Sequence, residues 1–323
     1  MRIYGNFEVY VGEIKQVTNT VKHFYLFPVH DEQLVPFTGG SHITTFIGKG
    51  DHYYERDYSL VSHPTERSHY AISINRDENS RGGSVYWHDH VKVGDTLEIS
   101  HPVNNFPLHH LAKHHVFYAA GIGITPFLTM MADLELQGKT FELHYTARSE
   151  ELCAFYDYLN IKYPGKCHFY FTRTDEPNRL TPDIMKSHRI GTHVYFCGPI
   201  GMVQQFRDAA LDVGYPNNSI HLELFEADDG PKNPFTVELA DSNCEVKVGN
   251  DETLLEALER EGIDAPYSCR AGGCGQCELS ITSGEVDHRD MFYTDDDRKG
   301  RKFILTCVSR AKEKSKEKLV LKI

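Results

Sequence analysis

The 323-residue sequence has no long apolar run and little basic charge. No stretch approaches the about 20 consecutive apolar residues that a membrane-spanning helix needs. The N-terminus, Met1 to Gly5, lacks the apolar segment of a secretory signal, so we expect a cytoplasmic protein. Its 46 Asp and Glu outnumber 34 Lys and Arg, and the formal charge of −12 argues against nucleic-acid binding. The acidic surface serves either solubility or docking onto a basic protein partner, and composition leaves both interpretations open.

Cysteine is also scarce, with eight residues, which excludes a dense disulfide framework. Four of the eight are scattered, whereas Cys269, Cys274 and Cys277 lie close together near the C-terminus. Clustered cysteines in a reducing compartment favour metal or redox chemistry. The histidine pairs at 109–110 and 114–115 have no acidic or cysteine-rich neighbours, so we interpret them as an interdomain segment rather than a metal site.

The three clustered cysteines and a later Cys307 form the spacing C-x4-C-x2-C…C, which is the plant-type [2Fe–2S] pattern. The glycines between them let the backbone wrap closely, so that N–H groups can stabilise the negative charge of the cluster. A structural zinc site is the alternative use of four thiolates, but zinc sites usually pair two similar short knuckles. We therefore predict a [2Fe–2S] cluster held by Cys269, Cys274, Cys277 and Cys307.

Three compositional zones predict a multidomain chain. Residues 1–108 are rich in β-branched and aromatic residues broken by turn signals, which predicts an antiparallel barrel or sandwich. Residues 109–227 alternate apolar strands with helical stretches, which predicts an α/β domain with a parallel sheet. Residues 228–234 are polar, contain Gly and Pro and predict a linker, and 235–323 predict a small α+β domain.

Local signals place two helices. The first has Thr125 as its N-cap and Gly138 as its stop. In the last zone, Thr253 and Glu256 form a capping-box pattern that opens a second helix, which Gly262 ends. Strands of the middle zone are predicted at His115–Ala119, Phe141–Thr146, His168–Thr172, Val194–Cys197 and Ile220–Phe225.

A cluster that accepts single electrons needs a cofactor that splits the two-electron hydride of a nicotinamide, and a flavin can do so. Arg56-Asp57-Tyr58-Ser59 matches the R-x-Y-S flavin motif of the ferredoxin–NADP reductase superfamily. Its arginine suits a phosphate, and its tyrosine and serine suit the isoalloxazine ring. Arg81-Gly82-Gly83-Ser84 predicts an anion nest for a phosphate. An ordinary strand end and an ordinary turn are the respective alternatives.

Two further segments predict a nucleotide site. Gly121-Ile122-Gly123-Ile124-Thr125 follows a predicted strand and opens a helix, where phosphate or ribose groups can approach. It differs from the Rossmann G-x-G-x-x-G fingerprint because Pro126 replaces the third glycine. Cys197-Gly198-Pro199 also follows a strand, at the edge where open α/β sheets bind ligands. A buried core cysteine is the alternative for Cys197.

In this order, the motifs resemble those of the phthalate dioxygenase reductase family, and the resemblance covers essentially the whole chain. It implies a flavin-binding antiparallel β-barrel, an α/β nucleotide domain and a C-terminal β-grasp ferredoxin domain. It also implies electron transfer from NADH through FMN and the cluster to a separate Rieske-type oxygenase. The Arg-Gly-Gly-Ser segment favours FMN over FAD. Thr172-Arg173 lies where NADPH-using relatives hold the 2′-phosphate, but no Lys or Tyr nearby completes that pocket, which favours NADH.

The resemblance also implies roles for single residues. Those implied to hold FMN are Arg56, Tyr58, Ser59, Ser73, Arg81, Gly83, Ser84 and Thr125. Those implied to surround the nicotinamide nucleotide are Gly121, Gly123, Arg148, Cys197, Gly198, Pro199 and Met202. The residues expected nearest to the reaction are Ser59, Cys197 and Phe225. Because no side chain need act as a strong acid or base, positioning would supply most of the catalysis.

Two other functions stay open. A reductase of a diiron hydroxylase or another monooxygenase would use the same parts, although its ferredoxin domain often comes first in the chain. A non-enzymatic redox carrier or sensor is a different class, and a carrier needs only the last ~90 residues.

Overall fold

The structure is a computed structural model, and it describes residues 5–30, 33–48, 50, 53–227, 230–241, 244–313, 315 and 317–323. The chain divides into two compact units. One holds residues 2–198 and 205–222, and the other holds 199–204 and 223–323. Every helix within the described ranges is too short or too polar to span a bilayer.

The first unit begins with an antiparallel barrel, called here the flavin barrel. Its strands are β1 (Phe7–Gln16), β2 (Val21–Pro28), β3 (His42–Ile47), β4 (Tyr54–Ser59), β5 (Tyr70–Asn75) and β6 (Thr96–Ile99). Their order is β4-β3-β6-β1-β2-β5, and an isolated bridge between Leu60 and Ile72 joins the two outer strands. The alternating inward residues form the barrel core, so the β-rich pattern of this zone produces a barrel rather than a sandwich.

A short helix, α1 (Gly83–Asp89), interrupts the strands, where the sequence predicted a turn or an anion nest. Gly82 precedes it with a φ of 85°, which glycine adopts at low cost. Trp87 of this helix is fully buried in the barrel core, against the ring of Phe24. Burial of the indole outweighs the poor helix propensity of the glycine, and this was not visible in the local pattern.

The second part of this unit is an α/β domain. Its strands are β7 (His114–Ala120), β8 (Phe141–Ala147), β9 (Cys167–Phe171), β10 (Thr192–Cys197) and β11 (Ile220–Glu223). Its α-helices are α2 (Thr125–Leu136), α3 (Tyr156–Lys162) and α4 (Ile200–Asp212), of which residues 200–204 are assigned to the other unit. Its 3₁₀ helices are Gly121–Ile124, Pro182–Ser187 and Asn217–Ser219. The strand order is β11-β10-β7-β8-β9, with parallel pairing from β10 through to β9. The chain leaves β7 towards β9 and returns to β10 on the other side, so a topological switch point lies between β7 and β10.

The start of α2 differs from the prediction. A 3₁₀ turn at Gly121–Ile124 continues directly into the helix, so Thr125 already has helical angles and is not the N-cap. Its hydroxyl donates to the carbonyl of Ile122 at 2.9 Å. Gly138, with a φ of 65°, follows the helix as predicted. The last predicted strand was also too long, because β11 ends at Glu223.

The second unit contains the ferredoxin domain. Its strands are β12 (Phe235–Leu239), β13 (Cys244–Val248), β14 (Glu278–Ser283), β15 (Val286–Asp287), β16 (Phe303–Leu305), β17 (Arg310–Ala311) and β18 (Leu319–Leu321), and its helices are α5 (Leu254–Arg260) and α6 (Asp295–Arg298). Five strands form a mixed sheet in the order β13-β12-β18-β14-β16, in which β12 and β18 are parallel. The apolar face of α5 packs into the core of this sheet. The predicted fold class is therefore confirmed in all three parts.

The predicted capping box of α5 is present. The N–H of Glu256 donates to Thr253 Oγ1 at 3.1 Å, and the Glu256 carboxylate accepts from the Thr253 N–H at 2.8 Å. Gly262 follows the helix with a φ of 76°.

A buried arginine anchors the end of the predicted linker within the ferredoxin domain. Asp228 and Asp229 of that linker lie outside the described residues. Arg310 donates to the carbonyl of Asn233 at 3.0 Å and to that of Gly249 at 2.7 Å. The precise domain boundaries stay predictions.

Candidate functional site

Four cysteine thiols lie together in the ferredoxin domain and fall into two pairs. Cys277 Sγ and Cys307 Sγ are 3.1 Å apart, and both residues are only 2% exposed. The thiols of Cys269 and Cys274 form a second hydrogen-bonded pair. Within the described ranges, no three His, Cys, Asp or Glu side chains converge as a single metal ion requires. Two thiol pairs suit the two irons of a [2Fe–2S] cluster better than one tetrahedral zinc ion.

Hydrogen bonds stabilise one thiolate in each thiol pair. The Cys274 thiol lowers the pKa of Cys269 to about 6, and backbone N–H groups of the same loop act in the same direction. One of them, from Ala271, lies 3.4 Å from Cys269 Sγ. The Cys307 thiol likewise lowers the pKa of Cys277. The same two hydrogen bonds, together with burial, raise the pKa of Cys274 and of Cys307. Because cluster ligands are thiolates, the loop favours the required charge state at one cysteine of each pair.

Glycines allow this loop to wrap closely. Gly272 has a φ of 75°, and a Cβ there would lie 2.8 Å from a methyl group of Val308. Gly275 has a φ of 74°, and a Cβ there would lie 2.5 Å from the ring of Phe292. A side chain at either position would combine a strained backbone with a close contact, so the predicted role of these glycines is consistent with the structure.

In the flavin barrel, two predicted flavin motifs lie side by side. Arg56, on β4, donates to the carbonyl of Arg81 at 3.2 Å. A Cβ on Gly83 would lie 2.9 Å from Arg56 Cγ, so glycine permits this approach. Arg81 itself is exposed. Two guanidinium groups near one glycine-rich turn form a suitable setting for a phosphate.

Ser59 has an unused polar atom. The residue is 6% exposed, and its Oγ has no hydrogen-bond partner within the described residues. An unpaired buried hydroxyl costs ~1–3 kcal/mol, so the polar edge of a bound flavin would satisfy it. Tyr58 precedes it, with burial raising the pKa of its phenol above the ordinary value and its ring edge-on to Trp87. These residues fit a flavin.

The other predicted flavin hydroxyls already have protein partners. Ser73 Oγ lies 2.8 Å from His23 Nδ1, and Ser84 Oγ lies 3.0 Å from Ser80 Oγ. The Thr125 hydroxyl donates within the preceding turn. A hydroxyl has one donor and two acceptor sites, so Ser73 and Thr125 keep capacity for a further bond. The Ser84 hydroxyl also accepts from the Asp77 N–H at 3.3 Å and donates to the Asp77 carbonyl at 3.4 Å, so a phosphate would have to replace one of its bonds. Their assignment to FMN stays a prediction.

The structure brings the two predicted nucleotide segments together at the carboxyl ends of β7 and β10, called here the nucleotide edge. Gly123 and Cys197 meet there, and a Cβ on Gly123 would lie 2.2 Å from the Cys197 carbonyl oxygen. Cys197 is fully buried, as the core-cysteine alternative expected. This edge lies at the topological switch point, where open α/β sheets bind ligands.

The remaining nucleotide candidates follow neighbouring strands. Arg148 is exposed just beyond β8, and its carbonyl accepts from the N–H of Arg173 at 2.8 Å. Gly198 and Pro199 follow β10, and Met202 lies in the first turn of α4. Phe225, predicted within a strand, lies beyond the end of β11 and is 44% exposed.

No sequence pattern indicated how the flavin barrel is attached to α2. The N–H of Gly40 donates to Thr129 Oγ1 at 3.1 Å, and that of Gly39 donates to the Asp133 carboxylate at 2.5 Å. These partners lie about 90 positions apart, so local periodicity carries no signal for them. Only the turn at Gly39-Gly40 was visible in the sequence.

Comparisons with known proteins agree with this arrangement. Residues 237–312 match the family model described as a 2Fe-2S iron-sulfur cluster binding domain. The chain is 41% identical over 320 residues to the carnitine monooxygenase reductase subunit of Escherichia coli K12, covering 97% of this chain and 98% of the relative. It is 38% identical over 303 residues to the heme-dependent oxidative N-demethylase beta subunit of Ectopseudomonas mendocina, covering 94% and 95%. The solved structure of phthalate dioxygenase reductase, titled as a modular structure for electron transfer from pyridine nucleotides to [2Fe–2S], superposes with a TM-score of 0.76 and 32% identity over 99% of this chain and 98% of that one.

The fold and the site together define a class: an oxidoreductase that transfers electrons from NAD(P)H through a flavin to a [2Fe–2S] cluster. Within that class, the chain belongs to the phthalate dioxygenase reductase family.

Proposed function

We propose that this chain is the reductase component of a Rieske-type oxygenase system, and that it takes electrons from NADH and delivers them singly to a separate oxygenase. The observation that carries the proposal is the presence of two pairs of cysteine thiols and a nucleotide edge on one chain. An electron carrier needs only the cysteine thiols, and a simple flavin reductase needs only the nucleotide edge. The relatives named as oxygenase reductase subunits support this assignment.

FMN is the proposed flavin. Its phosphate would be held by Arg56, Arg81, Gly83 and Ser84, and the proximity of Arg56 to the turn that contains the other three supports this. Tyr58 and Ser59 would contact the ring, and Ser73 and Thr125 are proposed as further FMN contacts. When bound, a flavin accepts hydride and can release electrons one at a time.

NADH is the proposed electron donor. Gly121, Gly123 and Cys197 would shape its pocket, and the candidates that follow β8 and β10 would line the rest: Arg148, Gly198, Pro199 and Met202. Phe225, which is exposed beyond β11, is the proposed aromatic partner of the flavin. These residues bind and orient, and none is asked to transfer a proton.

The partner is proposed to be an oxygenase acting on an amine. Carnitine is a quaternary amine, and the names of the two relatives above refer to carnitine oxidation and to oxidative N-demethylation. The second name also refers to haem, which makes a haem protein the competing acceptor. A cytoplasmic location is part of the proposal, because all eight cysteines are free thiols, as a reducing compartment favours.

The first test is an anaerobic titration of the purified protein with NADH and, separately, NADPH, followed by visible absorbance. We expect NADH to bleach both the flavin and the iron–sulfur bands. Bleaching of the flavin alone would contradict the electron path, and no bleaching would revive the carrier or sensor function. Flavin extraction and chromatography then separate FMN from FAD.

The second test supplies the reduced protein with purified acceptors. A Rieske-type amine oxygenase should turn over, whereas a haem demethylase and a diiron hydroxylase should not. Turnover with the haem protein alone would replace the Rieske partner in this proposal.

A further inference from the structure

Helix α2 links the nucleotide edge to the flavin barrel. It continues without a break from the 3₁₀ turn at Gly121–Ile124, and nine of its twelve residues are buried. Further along the same helix, Thr129 and Asp133 lie one turn apart and accept hydrogen bonds from two successive backbone N–H groups of the barrel. A rigid helix therefore has the predicted nucleotide turn at one end and the barrel bound to its middle.

The bound segment of the barrel is the turn at Gly39-Gly40, and it contacts α2 backbone to backbone. A Cβ on Gly39 would lie 2.6 Å from Met130 Cα. Asn104 Nδ2 holds the turn from the other side by donating to the Gly39 carbonyl at 3.0 Å. With so little space, a small change in either partner would displace the other.

The same turn leads directly to the flavin motif. β3 begins at His42, two residues after Gly40, and His42 is the register partner of Ser59. The N–H of Leu60 also donates to the carbonyl of Ser41 at 2.9 Å. A short path thus runs from the Asp133 carboxylate to the Gly39 N–H, along the chain to Ser41 and His42, and from there to Ser59 and Leu60. Ser59 is the serine whose hydroxyl is buried without a partner among the described residues.

The carboxylate of Asp133 is partly removed from water at this position, and this disfavours its negative charge. It is partly buried, and burial raises the pKa of its carboxyl, while the Gly39 N–H opposes that rise. A hydrogen bond to a carboxylate is about twice as strong as one between neutral groups. The Asp133 carboxylate therefore binds the Gly39 N–H more tightly than a neutral side chain would.

We propose that Asp133, together with Thr129, is a positioning residue for hydride transfer, because it fixes the nucleotide turn relative to the Ser59 strand. The inference rests on the proposed function, in which hydride passes between a nicotinamide and a flavin at these two places. Misplacement by about 1 Å can slow such a step by ~100-fold. Asp133 touches neither ring and acts through the backbone of its neighbours.

The test measures flavin reduction by NADH in anaerobic stopped-flow experiments on the full chain with its cofactors. Asp133→Leu removes the acceptor and keeps the same number and branching of side-chain heavy atoms, and we expect the limiting rate to fall about tenfold or more. Flavin content, cluster absorbance and the apparent Kd for NADH should change much less. Asp133→Asn keeps an acceptor oxygen and should recover most of the rate. A merely structural residue would lower Tm without separating the rates of these two variants.

Glu135→Gln is the matched control, because Glu135 lies exposed on the same helix and pairs with Lys162 at 2.9 Å. It should keep the wild-type rate. If Asp133→Leu fails to fold, Thr129→Val removes the acceptor of the Gly40 N–H and serves the same test with a smaller change. A wild-type limiting rate in the folded variant, or equal slowing by Asp133→Asn and Asp133→Leu, would overturn the inference. Failure of the wild-type protein to oxidise NADH would instead refute the proposed function.

Discussion

No side chain fits between Gly123 and the carbonyl oxygen of Cys197, because an added Cβ would lie 2.2 Å from that oxygen. This contact holds the turn after β7 against the loop after β10. We expect Gly123→Ala to push the two apart and to lower kcat/KM for NADH about tenfold or more, with flavin and cluster content unchanged. Steady-state kinetics with an artificial electron acceptor would measure it. Gly5→Ala, where a Cβ meets nothing within 4 Å, is the control. An unchanged kcat/KM would place the nucleotide elsewhere.

The unpaired hydroxyl of Ser59 predicts effects of opposite sign on stability and on flavin binding. Ser59→Ala removes a buried polar atom that has no partner in the described protein, so the apoprotein should be as stable as wild type or more stable. Loss of a hydrogen bond to the flavin should weaken FMN binding by about 1 kcal/mol, roughly fivefold. Fluorescence titration of the apoprotein with FMN measures the affinity, and urea unfolding measures the stability.

Ser100 is the control for Ser59, because its buried hydroxyl both donates and accepts a hydrogen bond. Its Oγ donates to the His101 carbonyl at 2.9 Å and accepts from the Thr44 N–H at 2.9 Å. Ser100→Ala should therefore destabilise the barrel by ~1–3 kcal/mol. If Ser59→Ala instead loses stability to the same extent and binds FMN normally, its hydroxyl is not a flavin contact.

The thiol pairs predict which cysteine substitutions remove the cluster. Cys307→Ser breaks the pair with Cys277, and we expect iron and acid-labile sulfide to fall to near zero. NADH should still bleach the flavin, since the barrel residues proposed to bind it lie in the other unit. Cys244→Ser, which alters an exposed cysteine outside the loop, should retain full iron content. Iron analysis and electron paramagnetic resonance of the dithionite-reduced proteins provide the measurement. Full iron content in Cys307→Ser would exclude Cys307 as a ligand.

The buried imidazole of His115 should make the protein less stable in mild acid. It is fully buried, and neither ring nitrogen has a partner among the described residues. Burial lowers its pKa to about 4, and Lys139 adds to the effect. Because this folded-state pKa lies below the ordinary 6.5, the unfolded chain binds the proton more tightly. The stabilising contribution is therefore complete above pH 6.5 and is lost as pH falls towards 4.

Urea unfolding at pH 6.5 and 5.5, followed by fluorescence of the single tryptophan, tests this effect of His115. We expect His115→Phe to reduce the acid-induced loss in the free energy of unfolding by about 1 kcal/mol over that range. His221, whose pKa burial lowers to about 3, should keep part of the pH dependence in the variant. His110→Phe, at an exposed position, should leave the dependence unchanged. If stability depends on pH equally in wild type and His115→Phe, a water molecule or a protein group hydrogen-bonds the His115 imidazole and offsets the effect of burial on its pKa.

The features that were predicted correctly from the sequence depend on residues that lie close together in the chain. Thr253 and Glu256 stand three residues apart, and the cluster cysteines largely share one loop, so short-range geometry determines both features. Thr125 failed as an N-cap because a 3₁₀ turn adds four helical residues before it, and glycine-containing turns do not reveal that in their composition. Helix α1 was missed because the burial of Trp87 in a barrel built from distant strands stabilises it.

The candidate site was predictable as separate motifs but not as an assembly. Register places His42 opposite Ser59, and nothing in either segment specifies that pairing. The contact of Asp133 with Gly39 spans 94 positions, and a single sequence carries no periodicity at that range. Identities of the bound flavin and nucleotide depend on such assembled contacts, which is why FMN and NADH remain proposals.

The closeness of Cys277 and Cys307 also bears on how the protein has to be assembled. Two thiols that lie 3.1 Å apart are close enough to form a disulfide whenever iron is missing. A nascent chain exposed to oxidant would close this pair and lose half of its ligands. Insertion of iron and sulfide therefore has to precede oxidation, and apoprotein handled in air should require a thiol reductant before it can be reconstituted.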